Sequence, residues 1–166
     1  GTAVASNHSD NGSVFVSTDH GATWASVTLP SSRSNQSSGS FSAAVVVSGG
    51  RFFLPANNSS RILTADNPTT TNGWASRDTP WQVESSNPVA VAAVGARILI
   101  PAGYGIWGTV DGVTWDFWHT NIVSVQRRIG MSGSTLVWPQ GTNALVRAAA
   151  TLDSPNAVAS GGRPSP

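Results

Sequence analysis

The residue types that most often carry chemistry are sparse in this 166-residue chain, and they are not grouped. The chain contains no cysteine, which excludes disulfides and thiolate metal sites. The three histidines, His8, His20 and His119, lack the spacing of metal ligands, and no aspartate run has the dense alternation of a calcium loop. We therefore predict no metal site, no cofactor and no nucleophile with an adjacent base.

The most informative stretch is 17–24, with the sequence Ser-Thr-Asp-His-Gly-Ala-Thr-Trp, because it has the chemistry of a tight turn. The Asp19 carboxylate can accept hydrogen bonds from backbone N–H groups two or three residues later, and Gly21 permits a positive φ. Hydroxyl groups can add further bonds, and Trp24 supplies a large apolar side chain. Strand-forming residues flank the stretch on both sides, so it is predicted to be the tip of a hairpin.

This turn recurs twice in weaker form. Thr109–Trp115 repeats it with one residue fewer, and Thr64–Trp74 repeats it with an insertion. In chain order we call the three copies turn 1, turn 2 and turn 3. Their aspartates are 47 and 45 residues apart, which is the length of one four-stranded propeller blade. The residues assigned to the repeat are Ser17, Asp19, Gly21, Thr23, Trp24, Thr64, Asp66, Gly73, Trp74, Thr109, Asp111, Gly112, Thr114 and Trp115.

The pattern Ser-x-Asp-x-Gly-x-Thr-Trp of turn 1 resembles the Asp-box, also called the bacterial neuraminidase repeat, of sialidase-like β-propellers. In those families the Asp-box lies on the outer hairpin of each blade, away from the central axis where substrates bind. The resemblance therefore implies that the three aspartates are structural. It also implies that the three tryptophans fill the gaps between neighbouring blades.

The rest of the chain fits the same architecture. Strand-forming runs group into units of three, four, four and three strands, at approximately 1–30, 41–80, 81–120 and 121–152, and helical periodicity is absent. Continuous apolar runs inside the units require both faces of a sheet to be covered. We predict an all-β fold, a β-propeller of four-stranded antiparallel blades with about 3.5 blades, which is part of a larger propeller or is completed by another chain. The Ser-, Pro- and Gly-rich residues 153–166 are predicted to be a tail or linker.

The resemblance also raises a sialidase mechanism. That mechanism requires a tyrosine nucleophile paired with a glutamate, an aspartic acid/base and three arginines that bind the substrate carboxylate. The chain has one tyrosine, Tyr104, and one glutamate, Glu84, which are predicted to lie at opposite ends of a strand and so not to meet. Arg51 and Arg97 begin equivalent strands in adjacent units and could contribute to an arginine cluster. We favour the alternative that both are solvated residues of a repeated sequence.

Aromatic residues outside the three turns are the remaining candidates for ligand binding. Trp81, Tyr104 and Trp118, together with Arg51 and Arg97, could bind a glycan, because aromatic faces pack against sugar rings. The alternative for the tryptophans is ordinary packing between blades.

Charge and composition restrict the partners. A formal net charge of +1 gives no case for nucleic acid or an anionic membrane surface, and no apolar run could span a bilayer. We predict a non-catalytic recognition or scaffold module of a larger extracellular or virion assembly, such as a phage tail fibre, spike or decoration protein. Its expected partners are other chains of the assembly, further copies of itself and cell-surface carbohydrate.

The alternative function is that of a fragment of a sialidase-like glycoside hydrolase whose catalytic residues lie outside this stretch. Because the chain starts at Gly1 rather than at methionine, we expect it to be processed, excised from a longer polypeptide or numbered from an internal residue.

Overall fold

The structure, a computed structural model, describes most of the chain up to residue 119 and three short stretches beyond it. The described residues are 1–6, 12–30, 45–55, 61–80, 91–102, 105–119, 130–132, 135–140 and 144–149. Only the backbone is described at 102, 105, 118, 119 and from 130 onward.

Strands make up the regular structure of these residues. The 3₁₀ turn Thr71–Gly73 is the only helical element in the described part of the chain. In chain order the strands are β1 (Ala3–Ser6), β2 (Ser13–Ser17), β3 (Ala25–Thr28), β4 (Val46–Ser48), β5 (Arg51–Pro55), β6 (Arg61–Ala65), β7 (Trp74–Asp78), β8 (Ala92–Val94), β9 (Arg97–Ala102), β10 (Gly105–Thr109), β11 (Asp116–His119), β12 (Gly130–Ser132), β13 (Thr135–Gln140) and β14 (Ala144–Ala149).

The strands form four antiparallel sheets. Their orders are β1-β2-β3 in sheet I, β4-β5-β6-β7 in sheet II, β8-β9-β10-β11 in sheet III and β12-β13-β14 in sheet IV. The all-β class and the grouping into three, four, four and three strands confirm the expectation from the sequence.

Sheets I, II and III are stacked face to face, with sheet II in the middle. On β5, Phe52 and Leu54 pack toward sheet I, whereas Phe53 between them packs toward sheet III. Burying each such side chain stabilises the fold by roughly 1.5–3 kcal/mol. The core between sheets I and II contains Val14, Val16, Val27, Leu29, Phe52, Leu54, Leu63, Ala65 and Trp74. The core between sheets II and III contains Phe53, Ile62, Ile98 and Ile100, with Val46, Val91, Trp107 and Trp115 packed against it. This stacking explains the continuous apolar runs.

The first strands of sheets II and III converge. β4 contacts β8 and β9, and the Ser48 hydroxyl at the end of β4 donates to the Gly95 carbonyl at 2.9 Å and to the Arg97 carbonyl at 3.3 Å. The hairpin turn after β4 contains Gly49 and Gly50, whose φ angles of 58° and 80° favour glycine. Sheets II and III therefore meet along their first strands, as blades do around a central axis.

The strands of each sheet begin and end at two opposite ends of the sheet. In sheet III, the end of β8, the start of β9 and the end of β10 lie at one end, which we call the turn end because β10 runs into turn 3 there. The start of β8, the end of β9 and the start of β10 lie at the opposite end, the far end. Turns 1 and 2 lie at the corresponding ends of sheets I and II.

The relative position of Glu84 and Tyr104 stays a prediction, because both residues lie outside the described residues. What the structure does describe is that the start of β8 lies beside the end of β9, at the far end of sheet III.

Among the described residues, no helix has the length and apolar character needed to cross a membrane.

Candidate functional site

Turn 1 is closed by side chains that bond to their own backbone. The Ser17 hydroxyl accepts the Gly21 N–H at 2.8 Å and donates to Asp19 Oδ1 at 2.8 Å. Asp19 in turn accepts the Thr23 N–H at 2.9 Å and the Thr23 hydroxyl at 2.5 Å. The indole N–H of Trp24 donates to the Gly21 carbonyl at 3.1 Å, and Gly21 has the predicted positive φ, 90°. All of these bonds span at most four residues.

The electrostatics of turn 1 favour an ionised carboxylate. The hydrogen bond from the Thr23 hydroxyl, followed by those from the Thr23 N–H and Ser17, lowers the pKa of Asp19 from 3.8 to about 2. Asp19 is therefore an acceptor at neutral pH and is unsuited to donate a proton as a general acid.

Turn 3 repeats this arrangement. Thr109 takes the place of Ser17: its hydroxyl accepts the Gly112 N–H at 2.8 Å and donates to Asp111 Oδ1 at 3.1 Å. Asp111 Oδ1 accepts the backbone N–H groups of Val113 and Thr114, each at 2.8 Å. Burial by itself raises the pKa of Asp111, but the bonds from Thr114, Val113 and Thr109 outweigh it, so that the pKa is lowered.

Turn 2 differs from the prediction by one residue. Strand register places Thr64 opposite Ala75, the residue after Trp74, just as Val16 lies opposite Ala25 and Gly108 opposite Asp116. Ala65 and not Thr64 therefore holds the position of Ser17. The position of Asp19 is then held by Asn67 rather than Asp66.

Asn67 does act as the turn's acceptor. Its Oδ1 accepts the Thr69 N–H at 3.2 Å and the Thr69 hydroxyl at 2.7 Å. The inserted residues form the 3₁₀ turn, and the Trp74 indole N–H donates to the Pro68 carbonyl at 3.1 Å. The insertion hid this correspondence in the sequence, because Asp66 gives the more familiar spacing.

Asp66 instead pairs with Arg51. The guanidinium donates from Nε to Asp66 Oδ1 at 2.6 Å and from Nη2 to Oδ2 at 3.0 Å, and its Nη1 donates to the Asp111 carbonyl at 3.1 Å. The hydrogen bond with Arg51 lowers the pKa of Asp66, and the same bond raises the pKa of Arg51. Arg51 thus ties sheet II to turn 3 of sheet III.

The arginines considered for a substrate cluster are therefore held in ion pairs. Arg97 Nη1 donates to Asp116 Oδ2 within sheet III, and Arg51 pairs with Asp66 within sheet II. Both ion pairs lie toward the turn end, and in each pair the two partners belong to one sheet. The sequence could not show these partners, which are 15 and 19 residues distant.

The three turn tryptophans have different environments. Trp74 is buried, with 3% of its surface exposed, in the core between sheets I and II, and Trp115 packs against the core between sheets II and III. Trp24 is 46% exposed. The expectation that the turn tryptophans fill gaps between neighbouring blades is met for Trp74 and Trp115. Trp24 instead lies on the face of sheet I that is turned away from sheet II.

Sheet I presents a partly apolar face that is turned away from sheet II. We call it the outward face, and it comprises Ala5, Phe15, Trp24 and Ser26, with Ala5 and Ser26 directly across from Phe15. Phe15 is 37% exposed.

The positions equivalent to Phe15 are covered in the next two sheets. Phe15 lies two residues before Ser17, as Leu63 lies two residues before Ala65 and Trp107 two before Thr109. Leu63 is buried against sheet I, and Trp107 packs against the core shared with sheet II. Sequence reasoning missed Phe15, although its place between Val14 and Val16 was a signal, because alternate residues of a strand face opposite sides.

Comparison with known proteins identifies the fold to which these four sheets belong. No family model and no curated protein matches the chain. A solved structure of YCF48 bound to D1 peptide is similar to it, with a TM-score of 0.60 and 19% identity over 84% of this chain and 47% of that one. YCF48 is a β-propeller.

This chain has a β-propeller fold. Sheets I to IV are its blades, and it spans about half the length of the YCF48 chain. The outward face is therefore the side of a blade on which a preceding blade packs elsewhere in the same propeller.

Several candidates from the sequence are not placed. Tyr104, Glu84, Trp81 and His8 lie outside the described residues, and Trp118 lies in β11, where only the backbone is described. Within the described ranges, no three His, Cys, Asp or Glu side chains group as metal ligands would.

Proposed function

We propose that this chain is a non-catalytic β-propeller module for recognition or scaffolding in a larger assembly, and that it binds through the outward face of sheet I. The observation that carries the proposal is the exposure of Phe15 and Trp24, since the equivalent residues of sheets II and III are packed against a neighbouring blade. Adjacent exposed apolar side chains mark interaction sites, whereas single ones are common on any surface.

The proposed occupant of the outward face is a blade from a second copy of this chain. Sheets II and III show that blades of this sequence pack on one another through the same positions, with Leu63, Trp74 and Trp107 in contact with the preceding sheet. None of the four residues of the outward face is charged, so an apolar sheet fits it better than a charged ligand.

A scaffold role is also supported by how the turn carboxylates are used. We propose that turns 1 and 3 are Asp-boxes of the sialidase-like family, because hydroxyl, carboxylate and backbone N–H groups bond in the same way at Ser17–Asp19 and Thr109–Asp111. Side chains committed to closing a turn are structural. A hydrolase fragment, the alternative, would need its catalytic groups from other parts of a ring.

The association experiment measures molar mass by light scattering over a wide range of protein concentration. The unmodified chain is expected to form a dimer, and Phe15→Ser should weaken the dimer by about tenfold or more, as truncation of a buried interface aromatic commonly does. Val113→Ser is the matched control, because Val113 is exposed on turn 3 and is not part of the outward face. A chain that stays monomeric at every concentration would refute the proposal, as would a dimer that Phe15→Ser leaves unchanged.

The proposed setting is an extracellular or virion assembly, such as a tail fibre, spike or decoration protein. It is supported by the low charge, with 10% charged residues, and by Ser- and Asn-rich connections such as 31–40. The matching YCF48 structure contains a bound peptide, and we therefore test a polypeptide partner first.

Glycan binding through Trp81, Tyr104 and Trp118 is the second candidate, supported by seven tryptophans in a chain of low charge. It is tested on immobilised sialylated and neutral glycans, with Trp118→Ala as the variant expected to lose binding. In parallel, the purified chain is expected not to hydrolyse a fluorogenic sialoside. Hydrolysis would favour the glycoside hydrolase alternative.

A further inference from the structure

The outer strands of sheets II and III present aromatic and cationic side chains where the two sheets meet. On β7, Arg77 lies opposite Ile62, so it lies on the face of sheet II that packs on sheet III. Across from it, Trp107 of β10 is paired with Phe117 of β11, and their ring centroids are 4.5 Å apart. The Arg77 Cγ lies 3.8 Å from where a Cβ on Gly112 would be, so Arg77 lies against turn 3. We call Arg77, Trp107, Trp115 and Phe117 the outer seam.

Each residue of the outer seam has an equivalent one blade earlier, where sheets I and II meet. Val27 and Arg77 are equivalent, for example, because each lies opposite the second residue of the strand that runs into its turn. The equivalents of Arg77, Trp107, Trp115 and Phe117 are Val27, Leu63, Trp74 and Ser76, in that order.

The two contacts differ in how far they are closed. Between sheets I and II, the equivalents Val27, Leu63 and Trp74 are all buried. In the outer seam, by contrast, Arg77 and Phe117 are exposed, and the two tryptophans are only half-buried. Both sheets are present at each of the two contacts, so the difference is due to the side chains and not to the lack of a neighbouring blade.

We propose that the outer seam binds an extended segment of another protein, in which an apolar side chain is flanked by carboxylates. This goes beyond the proposed function, because it assigns a second surface and a different partner. The outward face of sheet I lies on the other side of sheet II and contributes nothing to the outer seam.

The charge of the partner follows from Arg77. The structure describes the side chains of four arginines, and three of them, Arg51, Arg61 and Arg97, are held in ion pairs. Arg77 forms no ion pair with any described residue. The Asp111 carboxylate of turn 3 is already bonded to its own turn. The Arg77 guanidinium therefore fits a carboxylate supplied by the partner, since charge-assisted bonds of this kind are among the stronger hydrogen bonds.

The apolar part of the partner follows from the aromatic pair. The rings of Trp107 and Phe117 are inclined at 53° to one another, so the pair offers no single flat face of the kind on which a sugar ring stacks. Val110 and Val113 of turn 3 are exposed and have no side-chain groups that could bond to sugar hydroxyls. An aliphatic side chain of a polypeptide fits this surface better than a glycan does.

Fluorescence polarisation with labelled heptapeptides tests the inference. Three peptides carry a central leucine flanked by aspartates, by lysines or by serines, and a fourth carries a central serine flanked by aspartates. The peptide with leucine and aspartates is expected to bind at least about tenfold more tightly than each of the other three. Equal binding of all four peptides, or no binding by any, would overturn the inference.

Arg77→Glu locates the binding. The variant should weaken the peptide with leucine and aspartates by about tenfold or more, and it should prefer the peptide with lysines. Arg61→Glu is the matched control, because Arg61 lies on the same sheet, is adjacent to Ile62 in β6 and so lies on the opposite face. Unchanged binding in Arg77→Glu, or an equal loss in Arg61→Glu, would refute the site.

Two further measurements separate this inference from its alternatives. Phe15→Ser should leave peptide binding unchanged, and loss of binding in that variant would place the peptide on the outward face and overturn the inference. A chain that binds the peptide but never dimerises would refute the proposed dimer and support the outer seam. Binding of immobilised acidic oligosaccharides that is lost in Arg77→Glu, without binding of any peptide, would make the occupant a sugar and overturn the polypeptide partner.

Discussion

Asp19, Asn67 and Asp111 hold equivalent positions in the three turns, and each closes its turn as an acceptor of hydrogen bonds from residues two to four positions later. An amide oxygen serves at Asn67 where a carboxylate serves in the other two. The turn thus requires an acceptor and not a charge, although a charge strengthens the bonds. The carboxylates are explained by local backbone geometry without any reference to a substrate.

At this scale we expect Asp19→Ala to lower the melting temperature more than Asp19→Asn does, because alanine leaves the Thr23 N–H without its acceptor. The difference in melting temperature between the wild type and Asp19→Asn should depend on pH. Asp19 has a pKa of about 2 in the folded chain against 3.8 ordinarily, so its contribution is complete above about pH 4 and is lost as the pH falls toward 2. Thermal melts of the wild type and Asp19→Asn should therefore converge between pH 4 and 2, and a constant difference would contradict this account.

The elements were predictable from the sequence where their determinants are local. The positions of turns 1 and 3 could be predicted, because their bonds join residues at most four apart. The Asp19 carboxylate nevertheless accepts the N–H of Thr23, four residues later, rather than one two or three residues later. Turn 2 was misaligned by one residue, since its insertion forms a 3₁₀ turn that no spacing rule anticipates. The pairing of Arg51 with Asp66, and the exposure of Trp24 where Trp74 is buried, depend on neighbouring strands and blades and so could not be predicted.

The 3₁₀ insertion of turn 2 leads to a prediction about glycine. A Cβ at Gly73 would overlap the Asn67 carbonyl, so Gly73→Ala must displace backbone and is expected to cost about 1–3 kcal/mol. Gly12→Ala is the control, since a Cβ there meets no atom within 4 Å. Urea unfolding should show a lower midpoint for Gly73→Ala and an unchanged or slightly higher one for Gly12→Ala. Equal midpoints would show that turn 2 is not packed as described.

The link between sheets II and III leads to a second prediction at the scale of elements. Arg51→Lys keeps the charge but loses the fork that binds Asp66 through two nitrogens and the Asp111 carbonyl through a third. Arg61→Lys is the control, because Arg61 forms a more exposed pair with Asp78. We expect Arg51→Lys to lower the melting temperature by a few degrees and Arg61→Lys to change it less. The reverse order would mean that Arg51 does not join the two sheets.

Across the whole molecule, the described blades differ in how well they are covered. Sheet II is packed on both faces, whereas sheet I is packed on the face toward sheet II and exposes Phe15 and Trp24 on the other. Sheet I should therefore open locally more often than sheet II, since regions with fewer buried contacts open at lower free energy. β5, in the middle of the stack, is expected to be the most protected strand, and β1 among the least.

Concentration-dependent hydrogen exchange tests this difference together with the proposed dimer. If a blade of a second copy packs on the outward face, amides of β2 and β3 gain protection as dimers form, and exchange should slow about tenfold for each tenfold rise in free partner concentration above the dissociation constant. β5 and β9 already have strands on both sides and should exchange at the same rate throughout. The Phe15→Ser variant should show less concentration dependence in sheet I. Unchanged exchange of sheet I at concentrations where light scattering detects dimers would show that the copies do not meet through the outward face.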